Sequence, residues 1–174
     1  MEPEGSIEAL IVRLDDASLD VRHDAIRQLT ERGADAIDPL LAALGRAGTP
    51  DQRWYPAVAL AKIGKPAVRP LLEALEKNKD PEFRRYVAAA LGEIGEPAVD
   101  PLIQALATDD RELRGFISRA LCRIGKPATG ALLECMKSDD ETLRSSASLT
   151  LWQMGGDGLS MMVDQVKKES DKRS

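Results

Sequence analysis

Aromatic residues are nearly missing from this sequence: two Trp, two Tyr and two Phe in 174 residues. With 43% hydrophobic residues overall, the core must come from Leu, Ile, Val and Ala, which favours helices over a sheet. Only two cysteines are present, Cys122 and Cys135, at no metal or redox spacing, so a disulfide framework is excluded and a reducing cytoplasm suits the chain. One histidine, His23, leaves the common Ser or Cys nucleophile arrangements little to draw on, and no Gly-x-Ser-x-Gly elbow occurs. The stretch Gly155-Gly-Asp-Gly158 lacks the Gly-Lys-Ser/Thr of a phosphate loop, and a helix stop followed by an N-cap explains it. Basic charge is not in excess: the net charge is -5, which works against attraction to a polyanion. No run approaches the roughly 18 apolar residues of a membrane span, and Met1-Glu-Pro-Glu-Gly5 lacks the basic start and apolar run of a signal peptide. A soluble, cytoplasmic chain is expected, and its length fits one domain.

What the chain does have is a repeat. Glycines close successive cycles at Gly33, Gly64, Gly95, Gly125 and Gly155, at intervals of 31, 31, 30 and 30 residues. Eleven positions earlier stands an arginine each time (Arg22, Arg53, Arg84, Arg114, Arg144), and four positions earlier a leucine (Leu29, Leu60, Leu91, Leu121, Leu151). Fifteen positions before each glycine is Ser18, Thr49, Asp80, Asp110 or Asp140, residues whose side-chain oxygen can cap a helix N-terminus. A helix thus runs from cap to glycine, where a left-handed C′ residue would stop it.

After the glycine, Pro66, Pro97 and Pro127 suit a helix start, and apolar residues recur at helical spacing, as in Val68, Leu71, Leu72 and Leu75. Pro39, Pro70 and Pro101 fall further in, with Ala131 at the matching place of the fourth such helix. An interior proline removes a hydrogen bond, so these first helices are expected to bend. Pro56 should likewise kink or shorten its second helix, and with the loop from Gly45 to Pro50 it marks the second repeat as a hinge or a drifted copy. Each cycle reads as a hairpin of two amphipathic helices, which must stack on its neighbours to bury both stripes. The expected repeats are 6–33, 34–64, 65–95, 96–125 and 126–155 within one domain over 5–168, with a capping helix over 157–168 and a disordered tail over 169–174.

The segments Ile63-Gly-Lys-Pro-Ala-Val-Arg-Pro-Leu-Leu-Glu-Ala-Leu75 and Ile94-Gly-Glu-Pro-Ala-Val-Asp-Pro-Leu-Ile-Gln-Ala-Leu106 resemble the HEAT-like repeats of the phycobilisome-lyase type, over nearly the whole chain. The resemblance implies an all-α, armadillo-type fold, a right-handed α-α superhelix of five hairpins plus a C-terminal capping helix, with second helices on its concave face. It also implies a range of roles: binding scaffolds, subunits of bilin lyases, and an iron hydroxylase with His-Glu pairs. The hydroxylase is set aside, because the single histidine precedes Asp24.

The arginine column is in phase with the buried stripe and reads as a structural ladder, each stem covering core while the guanidinium meets a cap carboxylate or carbonyl. Position -9 carries Asp24, Tyr55, Tyr86, Phe116 and Ser146 and is expected to face water. Around it fall Trp54, Arg85, Arg119 and Arg123. Either the rings fill gaps between helices or they form a binding face; the clustering of four of six aromatics in the middle repeats favours the second. The expectation is a non-enzymatic scaffold, without cofactor or metal. It grips a helix or extended segment of another protein through Trp54, Tyr55, Arg85, Tyr86, Phe116, Arg119 and Arg123. The alternative is an accessory subunit of a lyase or other modifying enzyme. Nucleic-acid binding, resting only on Arg27, Arg85, Arg119 and Arg123, is disfavoured. The chain is expected to be monomeric or to dimerise weakly through the Met161-Met162 end.

Overall fold

The structure, a computed structural model, describes residues 5–171, apart from the side chains at 157, 165, 166 and 168–171. All regular structure among them is helical, and the chain divides into two compact units, 1–94 and 95–174. The first holds three hairpins: α1 (Ile7–Arg13) with α2 (Leu19–Arg32), α3 (Ile37–Arg46) with α4 (Pro50–Ile63), and α5 (Val68–Lys77) with α6 (Pro81–Ile94). First helices pack in one row, α1 on α3 on α5, and second helices in another, α2 on α4 on α6. The core lies between the rows and contains the leucine column, with Leu29, Leu60 and Leu91 fully buried. The second unit holds α7 (Val99–Ala105) with α8 (Arg111–Ile124), α9 (Lys126–Cys135) with α10 (Glu141–Gln153), and a last helix, α11 (Gly156–Asp171). Helix α11 packs on α9 and α10 as a first helix of a further hairpin would. It runs through 169–171, which corrects the expected tail there: no Gly or Pro follows Gly158 to stop it. Residues 172–174 lie outside the described residues.

Four of the five arginine-column residues are tied to the loop inside their own hairpin or to the next cap, and Arg22 lies instead over the Tyr55 ring. Arg84 Nε donates to Leu75 O (3.1 Å) and Asn78 O (2.7 Å), Arg114 to Thr108 O (2.5 Å), and Arg144 to Ser138 O (2.6 Å). Arg53 instead reaches the Asp80 carboxylate of the next hairpin at 3.4 Å. The loop residue that offers its carbonyl also offers its side chain: Asn78, Thr108 and Ser138 accept from the N–H of Asp80, Asp110 and Asp140. The column is therefore architectural, as its phase implied.

Four of the five expected N-caps form. Thr49 accepts from Gln52 N, Asp80 from Glu82 N, Asp110 from Glu112 N and Leu113 N, and Asp140 from Leu143 N. Ser18 makes no side-chain cap bond; its own N–H donates to Asp16.

Three local expectations need correcting. The closing glycines do have positive φ, but ψ is far from left-handed helix: Gly125 sits at φ 74°, ψ -135°. Glycine alone enters that region freely, and an added Cβ there would meet nothing within 4 Å. Gly125→Ala should therefore cost about 1–2 kcal/mol through backbone strain alone, seen as a lower melting temperature, whereas an unchanged melt would contradict it. Secondly, Pro39, Pro70 and Pro101 do not bend long first helices. A short 3-10 turn (Gly33–Ala36, Lys65–Ala67, Glu96–Ala98) precedes each helix, which puts the proline at the third helical position, where its missing N–H has no intrahelical partner to lose. Where Ala131 replaces proline, α9 runs unbroken from Lys126. Thirdly, Pro56 does not shorten α4, which has 14 residues like α6 and α8.

The α8–α10 contact has a different chemistry. Thr150 is fully buried; its hydroxyl donates to Ser146 O (2.7 Å) and so accepts from Ser118 Oγ at 2.9 Å. Cys122 Sγ, also in α8, lies 3.7 Å from Thr150 O.

Candidate functional site

In each unit the second helices present a ridge to solvent, at positions -13, -10, -6 and -2 from the closing glycine. In the first unit it carries His23, Arg27 and Glu31 on α2, Trp54, Val58 and Lys62 on α4, and Arg85 and Glu93 on α6. In the second it carries Arg119 and Arg123 on α8. Trp54 is 51% exposed, and Arg85, Arg119 and Arg123 are exposed as expected.

Position -9 is not on this ridge. Tyr86 is 9% and Phe116 5% exposed, and Tyr55 is half-buried, which corrects the expectation that the column faces water. In the first unit the reason is lateral packing: position -9 shares a flank with -5, where Ala59 and Ala90 are buried, and this flank of α4 and α6 meets the preceding second helix. Arg22 of α2 accordingly lies over the Tyr55 ring of α4, 4.7 Å from its centre. In α2, which has no preceding second helix among the described residues, the same flank is polar: Asp24 and Gln28 take the places of ring and alanine. Ring and arginine pairs close the surface further. Arg85 lies 4.9 Å over Tyr86 and Arg119 5.1 Å over Phe116, so two of the predicted arginines shield two of the predicted rings.

Between α2 and α4 the structure opens a cleft of about 600 Å³, lined among others by His23, Ile26, Arg27, Trp54, Tyr55 and Lys62. It brings Trp54 and Tyr55 together; Arg85 and Tyr86 stand on α6 outside it, and Phe116, Arg119 and Arg123 belong to the second unit. His23, read as an ordinary surface histidine, and Ile26 are lining residues that the sequence did not single out. Their signal is the i, i+3 spacing that places them on the α2 flank facing Trp54. Arg27 pairs with Asp24 (2.6 Å) and Glu31 (2.8 Å). Hydrogen bonds from Arg27, Gln28 and Arg13 hold the Asp24 carboxyl below its usual range, and Asp24 and Glu31 raise Arg27. The cleft can therefore seat an apolar or aromatic side chain against the indole, beside His23 and Lys62 as donors. Elsewhere, burial pushes the thiols of Cys122 and Cys135 up, which keeps both protonated and poorly nucleophilic. Among the described residues no group of three or more His, Cys, Asp or Glu could hold a metal, and no helix is long and apolar enough to cross a membrane.

The sequence model of HEAT repeats matches residues 7–79, 37–114 and 68–152. Among solved structures the chain is similar to the complex of CpcE and CpcF of phycocyanin lyase from Nostoc sp. PCC7120, at 23% identity over 88% of this chain and 66% of that one, with a TM-score of 0.39. It is also similar to an engineered protein (22% identity, 94% and 86% covered, TM-score 0.34) and to a designed armadillo repeat protein (20%, 87% and 83%, 0.33). No curated protein matches it.

Proposed function

The chain belongs to the HEAT-repeat family, and from that premise we propose that it is a non-enzymatic protein-binding module whose anchor is Trp54. The observation that carries this reading is an indole 51% exposed at the mouth of the α2–α4 cleft. Large side chains of this kind dominate binding energy when a partner buries them, and Trp, Tyr and Arg lead the list. The partner is a helix or extended segment of another protein, laid along the solvent ridge of the second helices. It inserts an apolar side chain beside Trp54 and meets Arg85 at the rim. Arg119 and Arg123 offer the corresponding ridge on the second unit. Tyr86 and Phe116 support the ridge from beneath rather than touch the partner.

Trp54→Ala tests this, because its ring is outside the core. Affinity capture followed by mass spectrometry should lose the specific partner, with affinity falling about 30-fold or more for a hot-spot residue, while helical circular dichroism and melting stay as in the parent. Undiminished capture would overturn the reading.

A further inference from the structure

We infer that the C-terminal end of the second unit is a self-association surface that closes two copies of this chain about a two-fold axis. Its location follows from the repeat. Four positions after the closing glycine, Ile37, Val68, Val99 and Thr129 are all 5% exposed or less, each in a first helix packed against the second helix of its hairpin; the equivalent Leu159 on α11 is 42% exposed. Four residues on, Val163 is 52% exposed, where the equivalent Leu72 is buried and Leu41, Ile103 and Leu133 are half-buried. On α10, Leu149 and Trp152 are 52% and 62% exposed. Helix α11 takes the place of a first helix, and no second helix follows it among the described residues. Four of the seven large apolar side chains exposed among those residues thus lie on the last two helices. Met161 and Met162, the pair expected to mark this end, are half-buried.

The chemistry of the surfaces selects the occupant. Stacking of this end on the α2 flank of another copy would bury Asp24 with its partners Arg13 and Arg27, a desolvation that an apolar face cannot repay. The same apolar face on a second copy has no such penalty, and a patch that pairs with itself closes at two copies. Helix α11 also carries exposed Asp164 and Lys167 beside its apolar stripe. When two such helices run antiparallel across a two-fold axis, Asp164 of each copy faces Lys167 of the other, which is self-complementary.

The test is light scattering and sedimentation on the full chain across the micromolar range. The expected mass is twice 18.9 kDa. Trp152→Glu and Val163→Glu should each weaken pairing at least tenfold with helical circular dichroism retained, and Trp54→Ala should leave pairing intact, which separates this surface from the cleft. Asp164→Lys and Lys167→Asp should each weaken self-pairing and then pair with one another when mixed, a result that does not depend on either apolar variant folding. A chain that stays monomeric, even where its end captures another protein, overturns the proposal. So does a mass that climbs past two copies with concentration, or a mixture of the charge variants that fails to pair.

Discussion

Arg84→Ala is expected to destabilise the protein by about 3 kcal/mol, a fall of roughly 6–12 °C in melting temperature for a chain of this length. The side chain is 0% exposed, and its Nε donates to both Leu75 O and Asn78 O, carbonyls at the end of α5 that its own helix cannot satisfy. Alanine leaves those oxygens short of a donor and opens a cavity the width of the arginine stem. Arg84→Lys should recover little, since lysine puts a methylene where the Nε–H stands and so offers those carbonyls no donor there. Arg144→Ala removes a half-buried residue with one bond to Ser138 O, so its loss should be near 1 kcal/mol. Melting followed by circular dichroism decides it: equal falls for the two alanine variants would mean that burial does not grade this column.

Gly158→Ala should have a comparable effect, about 2–3 kcal/mol, from overpacking. Glycine is needed here for space, not for an unusual backbone conformation: a Cβ on Gly158 would overlap the carbonyl of Leu151 and press on the Met154 side chain. Leu151 is fully buried in α10, so it has no room to move, and α11 must shift instead. Limited proteolysis should then cut within α11 at a protease level that leaves the parent whole. Resistance equal to the parent's would show that the helix tolerates the methyl group without moving.

Much of the architecture was legible because its signals are backbone-level. Gly95 and Gly125 stop helices by conformation, Asp110 and Asp140 start them by hydrogen bonding, and Arg114 and Arg144 repeat one local loop bond. Such features depend on a few neighbouring residues, so a column in the sequence is enough to find them. The candidate site was half legible. Trp54 is exposed as expected, but Tyr86 and Phe116 are not, because a helix in a row has two covered flanks besides its core stripe, and a single helix wheel shows only the stripe. In the first unit the alanines at Ala59 and Ala90 were the available sign of close lateral packing. The cleft between α2 and α4 depends on how two helices splay, which no spacing within either helix records. The prolines misled for a simpler reason: Pro39, Pro70 and Pro101 are interior to the apolar pattern yet lie in the first turn of the α-helix proper, since the 3-10 turn ahead of each shifts where that helix begins.

The Ser118–Thr150 hydroxyl pair gives the second unit a seam that water can replace. Ala59 and Ala90 in the first unit have nothing to offer water once parted, whereas the Ser118 and Thr150 hydroxyls recover a hydrogen bond from solvent as soon as α10 lifts from α8. In a stack whose members touch only their neighbours, opening begins at the joint that loses least. Within the second unit α10 is then the helix expected to lift first, and whatever clamps α10 and α11 from outside holds that seam closed.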